Sequence, residues 1–238
     1  MSGFVRMIIL AVIFALTTVA SAADSKPKRL LCFGDSITAG GKWVATVGAH
    51  KSIVTINAGR SGRRAAWAKR DLAPYLENYS NLDKVIMFLG VNDLPARDKR
   101  PGDVKVAACV TNMSEAIDLA MTHFKPKDII LVAPCNVNPK TMSAVNLRKG
   151  YHVTPPLLAK LEEEYKALAK NKGIRFVSLL NVVSKENYKD GLHPNEAGDA
   201  EIAKAILSFL ATPQRVNLST FKKENRIQTE QSPAGDGL

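Results

Sequence analysis

Five short segments of the chain are apolar at nearly every position: Arg29–Gly34, Ser52–Asn57, Lys84–Gly90, Asp128–Ala133 and Ile174–Leu179. Runs of this kind predict strands buried on both faces of a parallel sheet. Between them the apolar spacing changes to three and four residues. Val106, Val110, Met113, Ile117, Ala120 and Phe124 form one stripe. Leu157, Leu158, Leu161, Tyr165 and Leu168 form a second, with Glu162, Glu163 and Glu164 on its wet side. Ile202, Ala203, Ile206, Leu207 and Leu210 form a third. Each stripe predicts an amphipathic helix. The alternation of strand and helix predicts a three-layer α/β/α domain within residues 24–212.

Two stretches break the pattern. Asn136–Pro156 carries Pro139, Gly150, Pro155 and Pro156 and reads as a long loop of the kind that shapes binding sites. Residues 213–238 are polar, carry mixed charge and read as a disordered tail. The N-terminus has its own logic. Arg6 precedes an apolar run of 14 residues, Met7 to Ala20, and Ala20-Ser21-Ala22 offers small residues for cleavage. Residues 1–23 therefore read as a signal peptide. The run falls short of the roughly 20 residues that span a bilayer. The expectation is a secreted or periplasmic protein without stable membrane insertion. A retained anchor is the alternative.

Composition adds limits. The 238 residues, 46% of them apolar and 23% charged, suffice for one folded domain with its own core. Three cysteines leave room for one disulfide, yet Cys32, Cys109 and Cys135 all lie in apolar segments, which favours buried thiols. No Cys or His spacing suits a metal, and no cofactor is expected. The net charge of +11 favours anionic partners. Nucleic acid is not among them, because no recognition motif or aromatic-interleaved basic patch is present.

In a parallel sheet the functional groups gather at the carboxyl ends of the strands. Four polar, mostly glycine-marked blocks stand at or near such ends. They are Gly34-Asp35-Ser36-Ile37-Thr38, Asn57-Ala58-Gly59-Arg60-Ser61-Gly62, Gly90-Val91-Asn92-Asp93 and Asp190-Gly191-Leu192-His193-Pro194-Asn195. In this order, across about residues 29–210, they resemble the SGNH hydrolases, the GDSL-type esterases and lipases. The resemblance implies a flavodoxin-like parallel sheet of five strands in the order 2-1-3-4-5, and hydrolysis of esters or thioesters.

The chemistry of the blocks fits that implication. A serine hydroxyl needs an adjacent base to act as a nucleophile, and imidazole titrates in the right range. Ser36 is the expected nucleophile and His193 the expected base. Asp190, three residues before His193, can reach the far ring nitrogen and fix the tautomer. The resemblance nominates the backbone N–H of Ser36, the backbone N–H of Gly59 and the amide of Asn92 as oxyanion donors. Asp35 and Asp93 read as acids that fix their loops. Ser61, Arg60 and His152 are candidates for substrate contact. No G-x-S-x-G elbow is present, which disfavours an ordinary α/β-hydrolase.

Two basic clusters flank the blocks: Arg60, Arg63, Arg64, Lys69 and Arg70, then Arg97, Lys99 and Arg100. As a rim they would steer an anionic or highly polar substrate, and as a solvated helix face they would do nothing specific. Trp43 and Trp67 could stack on a sugar, line an acyl pocket or sit in the core. The best expectation is a short-acyl, acetyl-type esterase acting on a carbohydrate or small-molecule ester. A lysophospholipase or thioesterase is the alternative within the family. An inactive binding module for anionic polysaccharide is the alternative outside enzymes.

Overall fold

The five apolar segments pair into one parallel sheet in the order β2-β1-β3-β4-β5. The structure is a computed structural model that describes residues 26–212. The expected signal peptide (residues 1–23) and tail (213–238) lie outside the described residues. The strands are β1 (Lys28–Gly34), β2 (Ile53–Gly59), β3 (Lys84–Phe88), β4 (Ile129–Ala133) and β5 (Arg175–Ser178). Leu30 to Phe33 of β1, Val85 to Phe88 of β3 and all of β4 are buried, as double-faced central strands require. The edge strands β2 and β5 are only half-buried along most of their length.

The described residues form seven α-helices: α1 (Ser36–Ala39), α2 (Trp43–Gly48), α3 (Ala68–Asn78), α4 (Gly102–Met121), α5 (Ala144–Lys149), α6 (Pro155–Lys172) and α7 (Glu196–Ala211). Helices α3, α4 and α6 pack side by side, while α2 packs against α7. The three periodic stripes became α4, α6 and α7. Four helices carried no such signal. Helix α3 holds Pro74 within it, and α1, α2 and α5 are too short for a period to show. Helix α5 interrupts the expected loop. It begins where Ser143 Oγ accepts the Asn146 N–H and ends at Gly150, whose φ of 79° supplies a left-handed cap.

The sheet ends where its backbone must turn. Strand β3 stops two residues short of the expected Gly90, because Gly90 turns at φ 132°. The three cysteines are buried and free. Trp43 belongs to the core, donating its indole N–H to Ile37 O at 3.0 Å.

One cation is buried at the carboxyl end of the sheet. Arg63 is 3% exposed, and its Nη1 donates to Gly34 O at 2.7 Å and Ala58 O at 2.6 Å. Its Nε pairs with Asp71 at 3.1 Å, and its guanidinium lies 4.2 Å from the Phe33 ring centroid. Arg63 therefore ties the last turns of β1 and β2 together and is not part of a basic rim. Replacing it with Met removes the charged donor from two carbonyls and one of the three arginines around Asp71. We expect the loss of these charge-assisted hydrogen bonds in Arg63→Met to cost about 3 kcal/mol. In a domain of this size that lowers Tm by roughly 6–12 °C. Thermal unfolding checks the value.

Candidate active site

Strand β1 delivers the first chemical group. At its end Asp35 caps α1, accepting the Ile37 N–H at 2.9 Å through Oδ1. Ser36 follows as the first residue of that helix. Its own N–H lies ahead of any intrahelical acceptor. Ser36 Oγ lies 2.9 Å from His193 Nε2.

His193 sits on a tight turn built around Asp190. Asp190 Oδ1 accepts the backbone N–H groups of Leu192 at 3.1 Å and His193 at 2.8 Å. Oδ2 lies 2.8 Å from His193 Nδ1. Burial pushes the Asp190 carboxyl up, but the His193 and Leu192 donors outweigh it and hold the group below the usual carboxylate range. The turn needs Gly191 at φ 77°. A Cβ there would also stand 2.5 Å from Met142 Cα and 2.6 Å from Asn138 O. The segment after β4 buttresses the turn from outside. Asp190 O accepts from Ser143 N and from Asn146 Nδ2, and Gly191 O accepts from Asn138 N.

The third group arrives after β3. Asn92 is buried, and its amide is held from both ends. Tyr151 O–H donates to its Oδ1, and its Nδ2 donates to Arg63 O at 3.2 Å. An amide nitrogen has two protons, so one remains for a ligand. Ser36, Asn92, His193, Gly62, Ser61 and Tyr151 all line one cavity of about 230 Å³.

Gly59 does not join them. Its N–H donates to Asn57 Oδ1 at 2.9 Å, and an added Cβ would fall 2.2 Å from Ala39 N. It is a glycine because β2 crosses the backbone of α1, which corrects its expected place as an oxyanion donor. Gly62, three residues later, lines the cavity at φ 74°, and among the described residues its N–H has no acceptor. Both glycines stand in one sequence block, and only the backbone angle distinguishes them.

The remaining candidates divide. Ser61 lines the cavity. Arg60 lies in an adjoining groove with Trp67, its Nη1 on Asp71 at 2.8 Å. His152 is exposed and does not line the cavity. Asp93 holds its loop by accepting the Ala65 N–H at both oxygens, 3.1 and 3.0 Å. Tyr151, which fixes Asn92, was not anticipated, because it acts across 59 residues without any local motif. Among the described residues, no three metal-binding side chains converge.

A family model for the GDSL-like lipase/acylhydrolase family matches residues 32–200. The chain belongs to that family. No curated protein sequence matches it. Among solved structures, this acylhydrolase resembles a carbohydrate acetylesterase from Sinorhizobium meliloti at 22% identity and a TM-score of 0.67, covering 77% of this chain and 98% of the other. It also resembles an aryl esterase from M. smegmatis at 24% identity and a TM-score of 0.62, covering 76% and 99%. At these identities the structures establish a shared fold. With the family assignment, the activity is carboxylic ester hydrolysis.

Beneath the site of this acylhydrolase, burial pushes Asp35 up to about 7 despite the Ile37 N–H, while its Oδ2 meets no donor among the described residues. An unfolded aspartate titrates near pH 3.9. Between about pH 4 and 7 the folded chain thus holds a proton that the unfolded chain has lost. That contribution to stability falls as pH rises through this window and stays constant above it. Asp35→Asn keeps the acceptor for Ile37 and cannot ionise. We expect its Tm to gain on the wild type from pH 4 to 7 and then level off. A Tm difference independent of pH would show Asp35 charged in the folded state.

Proposed function

We propose that this esterase removes short acyl groups, acetyl above all, from carbohydrate or similarly polar esters by a double displacement through Ser36. The observation that carries the reading is the unbroken relay from Ser36 Oγ to His193 Nε2 and from His193 Nδ1 to Asp190 Oδ2, at 2.9 and 2.8 Å.

His193 takes the proton of Ser36 as Oγ attacks the ester carbonyl. Asp190 holds the ring so that Nε2 is free to accept it and stabilises the imidazolium that results. Negative charge moves onto the carbonyl oxygen. The Ser36 N–H, the Gly62 N–H and the second amide proton of Asn92 receive it there. The intermediate collapses, the ester C–O bond breaks, and His193 returns the proton to the departing alcohol. A water, deprotonated by His193, attacks the acyl-serine, and collapse releases the carboxylic acid and restores Ser36.

The short acyl preference follows from the cavity wall. Tyr151 and Leu192 are its main apolar contributors, among polar and charged neighbours. Each buried methylene needs apolar surface to return its ~0.8 kcal/mol. A fatty chain finds little of that here. The carbohydrate reading is supported by the polar groove beside the cavity and by the fold shared with the carbohydrate acetylesterase. Residues 1–23 are proposed to direct export.

Turnover of para-nitrophenyl acetate, butyrate and octanoate tests the proposal. We expect rates to fall with chain length and Ser36→Ala to lose ~10³-fold or more in kcat. Octanoate preferred over acetate would replace the short-acyl reading with a lipase-like one. Failure of Ser36 to take a fluorophosphonate label would remove it as nucleophile. Asn92→Ala should lose ~10²–10³-fold in kcat. Tyr151→Phe, which frees the amide to rotate, should lower kcat about tenfold with KM little changed.

A further inference from the structure

The reactive cavity opens into a second recess. The two share Ser61, Gly62 and Arg97. The second is larger, about 650 Å³, and continues past Arg64 and Trp67. An ester bound at Ser36 with a small acyl group in the first recess has its alcohol part directed toward the second.

The charges around these recesses are unbalanced. Arg64, Arg97 and Lys149 border them, and among the described residues none lies within 4 Å of a carboxylate. Their neighbours are already engaged. Arg60 is held by Asp71, and Asp98, the one acid lining the groove, is held by Arg100 at 2.6 Å. Asp93 lies buried below and turns both oxygens to the Ala65 N–H. It offsets part of the field without occupying either guanidinium.

The two unpaired guanidiniums are also braced. Arg64 lies 4.9 Å from the Trp67 ring centroid, and Arg97 lies 5.6 Å from that of Tyr151. Arg97 is further fixed by a 3.3 Å bond from Nη2 to Asn92 O. Stacking on a ring leaves the edge of a guanidinium, with its N–H groups, free for an anion. A solvated helix face would not hold its cations against aromatic rings beside a catalytic cavity.

We propose that the alcohol part of the natural substrate is a sugar bearing an anionic oxygen group, a carboxylate or a sulfate, received by Arg64 and Arg97. The proposal rests on the esterase reading and narrows it from carbohydrate esters to those of acidic carbohydrates. Trp67 carries the guanidiniums of both Arg60 and Arg64 on its ring, while Arg97 links the anion to the loop that carries Asn92. The anion then lies on the leaving-group side, so its contacts act on kcat/KM.

The test compares three acetylated methyl glycosides: a glucuronoside with a free carboxylate, a glucoside sulfated on its primary hydroxyl, and a neutral xyloside. We expect kcat/KM for at least one anionic ester to exceed the neutral one by about tenfold or more, the scale of a charge-assisted contact. Which of the two is preferred identifies the anion. The preference should shrink severalfold when ionic strength rises from about 0.02 to 0.5 M. It should approach unity in the double variant Arg64→Gln, Arg97→Gln. A double variant that slows all three esters equally, leaving their ratio intact, would make these arginines structural and overturn the proposal. So would a wild type that turns over para-nitrophenyl acetate and shows no preference among the glycosides, and the esterase reading would then stand without it. A wild type inert on para-nitrophenyl acetate and unlabelled by a fluorophosphonate would remove the esterase mechanism and this inference together.

Discussion

The buried guanidinium of Arg63 is the constraint on which the catalytic end of the sheet depends. Two parallel strands end side by side, and the last carbonyls of their ladder include Gly34 O, which also accepts the Arg60 N–H, and Ala58 O. Arg63 satisfies both and is neutralised by Asp71. Its backbone carbonyl accepts from Asn92, so the loop after β3 is tied to the same point. Its neighbour Gly62 forms part of the cavity floor. The last residue of β1 before Asp35, the loop after β2 and the amide after β3 thus share one fixed reference. A charge buried this deeply is costly unless every donor is used. The bonds from Nε and Nη1 that make it tolerable also make the geometry rigid.

The fold was legible because its core obeys simple periodicity. Strands buried on both faces read as continuous apolar runs, and α4, α6 and α7 each kept a stripe long enough to see. The relay was legible because its members occupy short local blocks, with Asp190 and His193 on one turn. The missing parts depend on tertiary facts. Gly59 and Gly62 look alike in sequence, and only the crossing of β2 over α1 and the positive φ of Gly62 separate their roles. Arg63 sits among arginines that face solvent, and nothing local marks it as the buried one. Tyr151 meets Asn92 only after the chain has folded back.

The segment Asn136–Pro156 shows why a proline-marked stretch was read as a loop and what it does instead. Its helix α5 has caps but buries only Asn146, so hydrogen bonds to the Asp190 turn rather than an apolar face hold it in place. Through Ser143, Asn146 and Asn138 it grips the outside of the Asp190 turn, while Tyr151 at its far end reaches Asn92. One stretch of chain thus braces both the turn that carries His193 and the amide of Asn92.

Ser36 and His193 are separated by 157 positions. The serine belongs to the first strand–helix junction of the domain, and the histidine to the turn that leads into its last helix. A chain emerging from synthesis carries the Ser36 hydroxyl long before it holds His193, and strands β2 to β5 are all laid down in between. The two side chains meet only when the turn leading into α7 docks against the end of β1, so their contact reports completion of the whole sheet.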